Sequence, residues 1–419
     1  MKFNDLHPNI KIRIMTEFFT DITQMAILPF MAIYFSSYVG AGLAGILLMI
    51  NILLSIMVGL YSGFLADRIG RKKMLISAQA IQIFALLVMT VVNSPWLTSV
   101  WITYAMFIVS NISSSLIGPA ASAMIIDVST EKERPYIYGL GYWTGNIAIA
   151  LGALLGGLFF EKYKMMLFVM FLFVSIVTLF IIIFFIKETF TFTRDKSETK
   201  PSIKTGLIRN YLNVLNDRGF MLFIVATICI MSLEFQLDKY VAVRLKEQFE
   251  AELFTFTITG VNMFSIIMLI NTITIVFATL QLSKWLGQFN AKKVLTIGLL
   301  IYSISFTSFA YSNSFSLLIL AAFFFTFGEL MYSPIRQTIL ASIVNEQRRA
   351  SYMAVDNLAY HVATLIGSIG LSLGALLPSE GMALLYLGLG LCGLVCYRIA
   401  LSMKEEKEVR VDTQKESVL

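Results

Sequence analysis

The chain has 419 residues, 57% of them hydrophobic and only 14% charged, with a formal net charge of +6. A soluble domain carries roughly 25% charged residues, so an ordinary water-soluble enzyme is excluded as the simplest reading. The positive charge is not a nucleic-acid signature either, because the basic residues cluster where a membrane protein must place them.

Apolar runs of roughly 20 residues cross the hydrocarbon core as helices. Strands of a barrel would alternate in polarity, and runs such as 165–186 (MMLFVMFLFVSIVTLFIIIFFI) do not. Taken in chain order, the sequence predicts twelve spans, at 10–36, 42–66, 73–92, 97–126, 135–160, 165–187, 219–243, 256–284, 292–312, 315–343, 350–377 and 382–402. The polar N-terminus lacks a small-residue cleavage site and does not read as a cleaved signal peptide. The fold class is therefore an all-α membrane protein. The polar stretch 188–218 reads as a cytoplasmic linker between two six-helix bundles, 1–187 and 219–403, followed by a mobile cytoplasmic tail at 404–419.

The connections after odd- and even-numbered spans differ in charge. The termini and the even-numbered connections together carry 26 basic residues, against four (Lys162, Lys164, Arg244, Lys246) on the other face. The positive-inside rule places the basic face and both termini in the cytoplasm, and the expected location is the cell membrane. Lys239 and Arg336 fall within spans.

The two halves resemble each other. Pro119 to Arg134 at the end of span 4 and Pro334 to Arg349 at the end of span 10 run over the same interval, offset by 215. The same offset carries Gly152 of span 5 onto Gly367 of span 11. Two related bundles around a central cavity can rock against each other, giving alternating access.

The segment Gly63-Phe-Leu-Ala-Asp67-Arg68-Ile-Gly70-Arg71-Lys72-Lys73 lies at the end of span 2. It resembles the G-x-L-a-D-r-x-G-R-[RK] signature of the major facilitator superfamily. Its glycines permit a tight turn. Its acid can accept hydrogen bonds from a helix N-terminus or a basic group, so Gly63, Asp67, Arg68, Gly70 and Arg71 form a candidate conformational latch. Ala123 to Asp127, Tyr142-Trp143, Leu151 to Gly156, Phe327 to Pro334 and, more loosely, Leu233 to Asp238 resemble LmrP-type multidrug/proton antiporters.

That resemblance implies a proton-coupled exporter of lipophilic, often cationic, compounds, and not an enzyme. It offers Asp67, Asp127, Asp238 and Glu329 as acids that couple proton and drug movement. Departures are visible. Gly141 stands where relatives have an acid before the Tyr-Trp pair, and span 5 lacks the proline of the usual antiporter motif. Asn111 and Ser113 to Ser115 occupy the region of span 4 where many relatives carry an arginine. The candidate substrate-binding residues are Glu329, Asp238, Tyr142, Trp143 and Asn111.

The residues themselves point the same way. An ionisable group at mid-helix costs roughly 2.5–3.5 kcal/mol on insertion scales, so it needs a cavity, a partner or a function. Glu329 interrupts an otherwise uncharged run at mid-depth, where a desolvated carboxyl can exchange protons. Arg336 lies two turns further along and would reach it only through water or a bent side chain. Glu17 and Asp21 stand one turn apart in span 1, and Glu234 and Asp238 in span 7 beside Lys239. All four join Glu329 and Asp127 as candidate proton-coupling residues. Asp127 has an equally good reading as a helix-end salt bridge with Arg134. In span 11, His361 reads as a hydrogen-bonded structural residue before a proton relay.

Cys392 and Cys396 lie one turn apart, but no further ligand is evident in sequence, so no metal and no cofactor are expected. The expected partners are a small-molecule substrate, protons and membrane lipids. Nucleic acid is not expected, and the chain is expected to be a monomer. The alternative to drug export is transport of one defined metabolite such as a sugar, peptide or lipid precursor, since the fold serves all of these.

Overall fold

A computed structural model describes residues 3–130, 133–189, 214–253, 256–286, 288–343 and 349–416. Nine apolar helical stretches among them are long enough to cross a membrane. Two of these, Pro8–Ser62 and Tyr136–Phe185, have 55 and 50 residues. At about 1.5 Å per residue each is twice the length one crossing needs. Helix Arg349–Gly374 adds a further, more polar span. Counting two crossings in each of those long stretches, the described helices amount to the twelve crossings expected from the sequence.

The predicted boundaries shift where backbone chemistry intervenes. Span 1 begins at Pro8, whose missing N–H costs nothing at a first helical position, and is interrupted by a 3₁₀ turn at Leu28–Phe30 around Pro29. Gly40, at φ 79°, separates spans 1 and 2 inside the continuous Met31–Ile69 stretch. Gly70, at φ 102°, ends span 2 and starts span 3 (Arg71–Val91). Both φ values favour glycine. Spans 5 and 6 form one run, Arg134–Phe185, broken at Tyr163.

Two compact units are present. The first comprises residues Met1–Arg194 with Ala242–Val276, the second Asp195–Val241 with Phe277–Leu419.

In the first unit span 1 packs along span 5. A Cβ at Gly152 would sit 2.5 Å from the Met25 Cβ and 2.7 Å from the Ile22 carbonyl. Span 3 packs on span 4 (Val100–Asp127) and on span 6, to which Gln79 donates a hydrogen bond at the Ser175 carbonyl, 3.2 Å. The early part of span 8 (Gly260–Leu286) lies against span 5, where Asn262 Nδ2 donates to the Gly157 carbonyl at 2.8 Å. An antiparallel hairpin, Glu250–Leu253 with Phe256–Thr259, precedes it and takes up residues 256–259, which were expected to open span 8. Arg244, counted above as a loop residue, belongs to the short helix Ala242–Gln248 and is buried at 2% exposure.

In the second unit span 7 (Arg218–Glu234) packs against spans 11 and 12, and span 9 (Ala291–Tyr311) against spans 10 and 12. A Cβ at Gly367 would lie 2.6 Å from the Phe235 carbonyl. Span 11 therefore approaches span 7 as span 5 approaches span 1. Span 12 does not stop at Met403. Its helix continues from Ser379 to Glu416, so the expected mobile tail is helical over 404–416. The three cysteines are free. Contrary to expectation, Cys229 lies in the electrostatic reach of Cys392 and Cys396, but no group of three metal-ligating side chains occurs among the described residues.

Candidate functional site

Span 7 is regular to Glu234 and then widens. Residues Leu237–Val241 form a π turn, closed by the Val241 N–H on the Gln236 carbonyl at 3.0 Å. Such one-turn widenings occur often at functional sites. Here it turns Asp238 and Lys239 together. Lys239 Nζ donates to Asp238 Oδ1 at 2.9 Å and to the Phe235 carbonyl at 3.2 Å, and lies 5.4 Å from the Phe235 ring centroid. Lys239 is buried and Asp238 is partly open, with 40% of its side chain exposed. The sequence reading treated this lysine only as a neighbour; it is the counter-ion of Asp238.

Glu234, on the last turn before the widening, feels Glu329 of span 10 (Phe315–Ile343) and Asp238 as like charges. Both glutamates are half-buried. Three of the acids singled out in sequence thus share one neighbourhood within the second unit. Like charges close together in a low-dielectric site resist joint ionisation and tend to share a proton.

Two tyrosines complete the site. Tyr302 of span 9 is fully buried, and Tyr332, one turn after Glu329, is 4% exposed. Their ring centroids are 5.3 Å apart. The Tyr302 ring thus packs on Tyr332 within reach of Glu234. Tyr332 could have been found from its i, i+3 spacing to Glu329. Tyr302 lies on another span with no local signal.

Arg336 does not turn back to Glu329. It forms an ion pair with Asp356 of span 11, 2.5 Å between Nη2 and Oδ1, and its Nε donates to Thr227 Oγ1 at 3.4 Å. The same threonine oxygen lies 2.9 Å from the Tyr397 hydroxyl. The cause is direction. Arg336 follows Pro334 by two residues, and its guanidinium packs 5.6 Å from the Phe223 ring of span 7.

The remaining candidates lie in the first unit, apart from this cluster. Arg13 forms an ion pair with Glu17, and Asp21 lies in the field of both. Asn111 donates from Nδ2 to the Phe107 carbonyl of its own helix at 2.8 Å. Tyr142 and Trp143 are exposed, at 64% and 54%. An apolar groove of about 350 Å³ runs between Met15, Phe19, Phe173 and Val177, with no acid in its lining.

At the motif loop, Gly63 lies in the helix of span 2, the Asp67 side chain lies outside the described residues, and Arg68 is exposed. Arg71 Nε reaches Asp127 Oδ2 at 3.4 Å, and Thr189 Oγ1 donates to the same oxygen at 3.0 Å. Asp127 thus pairs with Arg71, while Arg134 donates to Ser129 and to the Ile126 carbonyl. Glu188 was missed. Its carboxylate accepts the backbone N–H groups of Arg71 at 3.0 Å and Lys72 at 3.1 Å, capping span 3 from the end of span 6. An acid at a helix N-terminus satisfies free donors and complements the dipole. Sequence spacing gives no hint of a cap 117 residues away.

These features can be set beside known proteins. The model of the Major Facilitator Superfamily matches residues 14–270 and 251–418. The chain belongs to the Major Facilitator Superfamily. It is 32% identical over 388 residues to a "Na(+), Li(+), K(+)/H(+) antiporter" of Planococcus maritimus, covering 90% of this chain and 91% of that one. It is 23% identical to "Multidrug resistance protein MdtH" of Blochmanniella floridana, covering 89% and 90%. Among solved structures it is similar to a peptide transporter POT in complex with alafosfalin, at a TM-score of 0.74 with 16% identity, covering 96% and 95%. It is also similar to the nucleoside transporter NupG, at a TM-score of 0.71 with 12% identity, covering 95% and 100%. As a member of this family the chain is a secondary transporter spanning a membrane.

Proposed function

We propose that this transporter is a proton-coupled antiporter exporting lipophilic, often cationic, compounds by alternating access, with Glu234, Asp238 and Glu329 as its coupling acids. The observation that carries the reading is the convergence of three carboxyls from spans 7 and 10 in one partly enclosed neighbourhood beside two buried tyrosines. A cation entering this neighbourhood competes with the shared proton, so cation and proton occupy it in alternation. Aromatic faces beside the carboxyls add attraction for an organic cation. The halves, 1–187 and 219–403, rock about the substrate, and the motif loop with Asp67 and Arg71 latches one state. Glu17, Asp21 and Asp127 are secondary acids in this scheme. The protein works as a monomer in the cell membrane, with both termini cytoplasmic.

A second reading is supported by the relative at 32% identity: the exchanged cation is Na⁺, Li⁺ or K⁺. Hard cations prefer oxygen ligands, which carboxylates and tyrosine hydroxyls supply.

Everted membrane vesicles separate these readings. A pH gradient is built by respiration, and its collapse is followed with a pH-sensitive dye after adding ethidium, NaCl, KCl or a dipeptide. Collapse by ethidium that is lost in Glu329→Gln supports drug export. Collapse by the salts alone supports the second reading. Collapse by the dipeptide alone favours a metabolite carrier, and no proton movement with any addition ends proton coupling altogether.

A further inference from the structure

An ammonium group has three N–H donors, and the widened turn of span 7 surrounds that of Lys239 with partners. They are the Asp238 carboxylate at 2.9 Å, the Phe235 carbonyl at 3.2 Å and the Phe235 ring, its centroid 5.4 Å away. The turn itself makes this arrangement. In a regular helix the Lys239 backbone N–H would bond to the Phe235 carbonyl, four residues back. Here it bonds to the Gln236 carbonyl at 3.2 Å, and the Phe235 carbonyl accepts the side-chain ammonium instead. Span 11 holds the Phe235 end of the turn. Gln236 Nε2 donates to the Ile366 carbonyl at 3.3 Å, and the Tyr360 ring stands edge-on to Phe235 at 4.9 Å.

A carboxylate, a carbonyl oxygen and an aromatic ring are groups that bind an organic cation. In this turn a cation belonging to the chain already fills them. Access to the pair is unequal, with 40% of the Asp238 side chain exposed against 7% for Lys239. An arriving cation therefore meets the acid first. It has to share or take that acid from an ammonium carried on a flexible four-carbon stem. Two cations on one carboxylate repel each other, so Asp238 does not hold both at full strength.

We propose that Lys239 is a built-in competitor for cationic cargo: its ammonium occupies Asp238 in the empty transporter and yields that carboxylate when a cargo cation binds. The proposal rests on the cation-export reading above and adds what fills the site between cargoes. The displaced ammonium keeps the Phe235 carbonyl and ring. Cargo breaks one charge-assisted hydrogen bond within the protein as it makes its own, so it is held weakly and released quickly. As it leaves, Lys239 retakes Asp238, and the carboxylate is not left bare. Lys239 is in this sense a specificity residue, because it sets how strongly a cation must bind to be carried.

Equilibrium binding to the purified full-length protein tests this without transport. Ethidium binding is followed by fluorescence anisotropy and Na⁺ binding by calorimetry, both at one fixed pH. Lys239→Gln keeps a hydrogen-bond donor and removes the charge. It should bind at least one of the two cations about tenfold tighter than wild type, the lower end of what a hydrogen bond to a charged group is worth. Lys239→Arg keeps the charge and should bind like wild type. Asp238→Asn combined with Lys239→Gln should lose the gain. Unchanged or weaker binding by Lys239→Gln overturns the proposal. A gain that survives without the Asp238 carboxylate also overturns it, as does an equal gain in Lys239→Arg, which marks loosened packing. If neither wild type nor Lys239→Gln binds ethidium or Na⁺, the reading of a cationic cargo itself falls. Where Lys239→Gln does not fold, Lys239→Met, which keeps the apolar stem, is read in its place by the same criteria.

Discussion

Replacing Arg336 by methionine should expose how the ion pair with Asp356 contributes. Their side chains are 15% and 11% exposed, so the pair is held largely away from solvent. Arg336→Met removes the cation, empties the bond to Thr227, and leaves the Asp356 carboxylate buried opposite a thioether. Breaking a buried pair from one side costs about 3–5 kcal/mol, whereas replacing both members by apolar groups is often near neutral. Asp356→Leu alone strands the guanidinium and should cost about as much. The double variant should recover most of the loss, giving a coupling energy of about 3 kcal/mol in a double-mutant cycle. Reversible unfolding in mixed detergent micelles, read by tryptophan fluorescence, supplies the four free energies. Additive losses in the double variant would refute the assignment of the pair as a closed, desolvated unit.

Two further outcomes follow from packing and charge. Gly152→Val and Gly367→Val each drive a side chain into a neighbouring backbone carbonyl, and such overpacking costs about 1–3 kcal/mol; the two should lower thermal stability in detergent to a similar extent, and a harmless change at either site would undo the claimed equivalence of the two helix contacts. Lys164, at the turn between spans 5 and 6, packs 4.3 Å over the Tyr34 ring beside Lys246, and burial first, then that second cation, push it down to about 8. A lysine lowered in the folded state binds fewer protons there than when unfolded, so stability should rise as pH climbs from about 8 towards 10.5, and Lys164→Gln should flatten the rise in a melting-temperature series.

Much of this architecture could be read from the chain because the membrane imposes simple rules. Spans are long and apolar, charge marks the faces, and the offset of 215 aligns Gly152 with Gly367, each of which closely approaches a neighbouring helix, span 1 and the end of span 7. The acids were visible because lipid makes them conspicuous. Their partners were not. Lys239 is adjacent in sequence, but only the π turn brings its ammonium onto Asp238. Tyr302 and Tyr397 come from spans 9 and 12, and tyrosine in an apolar run draws no notice. Arg336 had two acids in principle and takes the one twenty residues later. Glu188 reaches span 3 through folding alone. The hairpin at 250–259 is short and of mixed polarity, where strand and loop patterns look alike.

The widened turn at Leu237–Val241 holds one residue more than a regular helix would allot to that length. A surplus residue can be passed along the backbone like a ruck in a carpet, each step exchanging one carbonyl acceptor for its neighbour. Because successive residues are set about 100° apart around the axis, moving the ruck past Asp238 would swing that carboxyl through more than a quarter of a circle and part it from, or return it to, its lysine. Such a shift would part the acid from its lysine with the rest of the helix left in register.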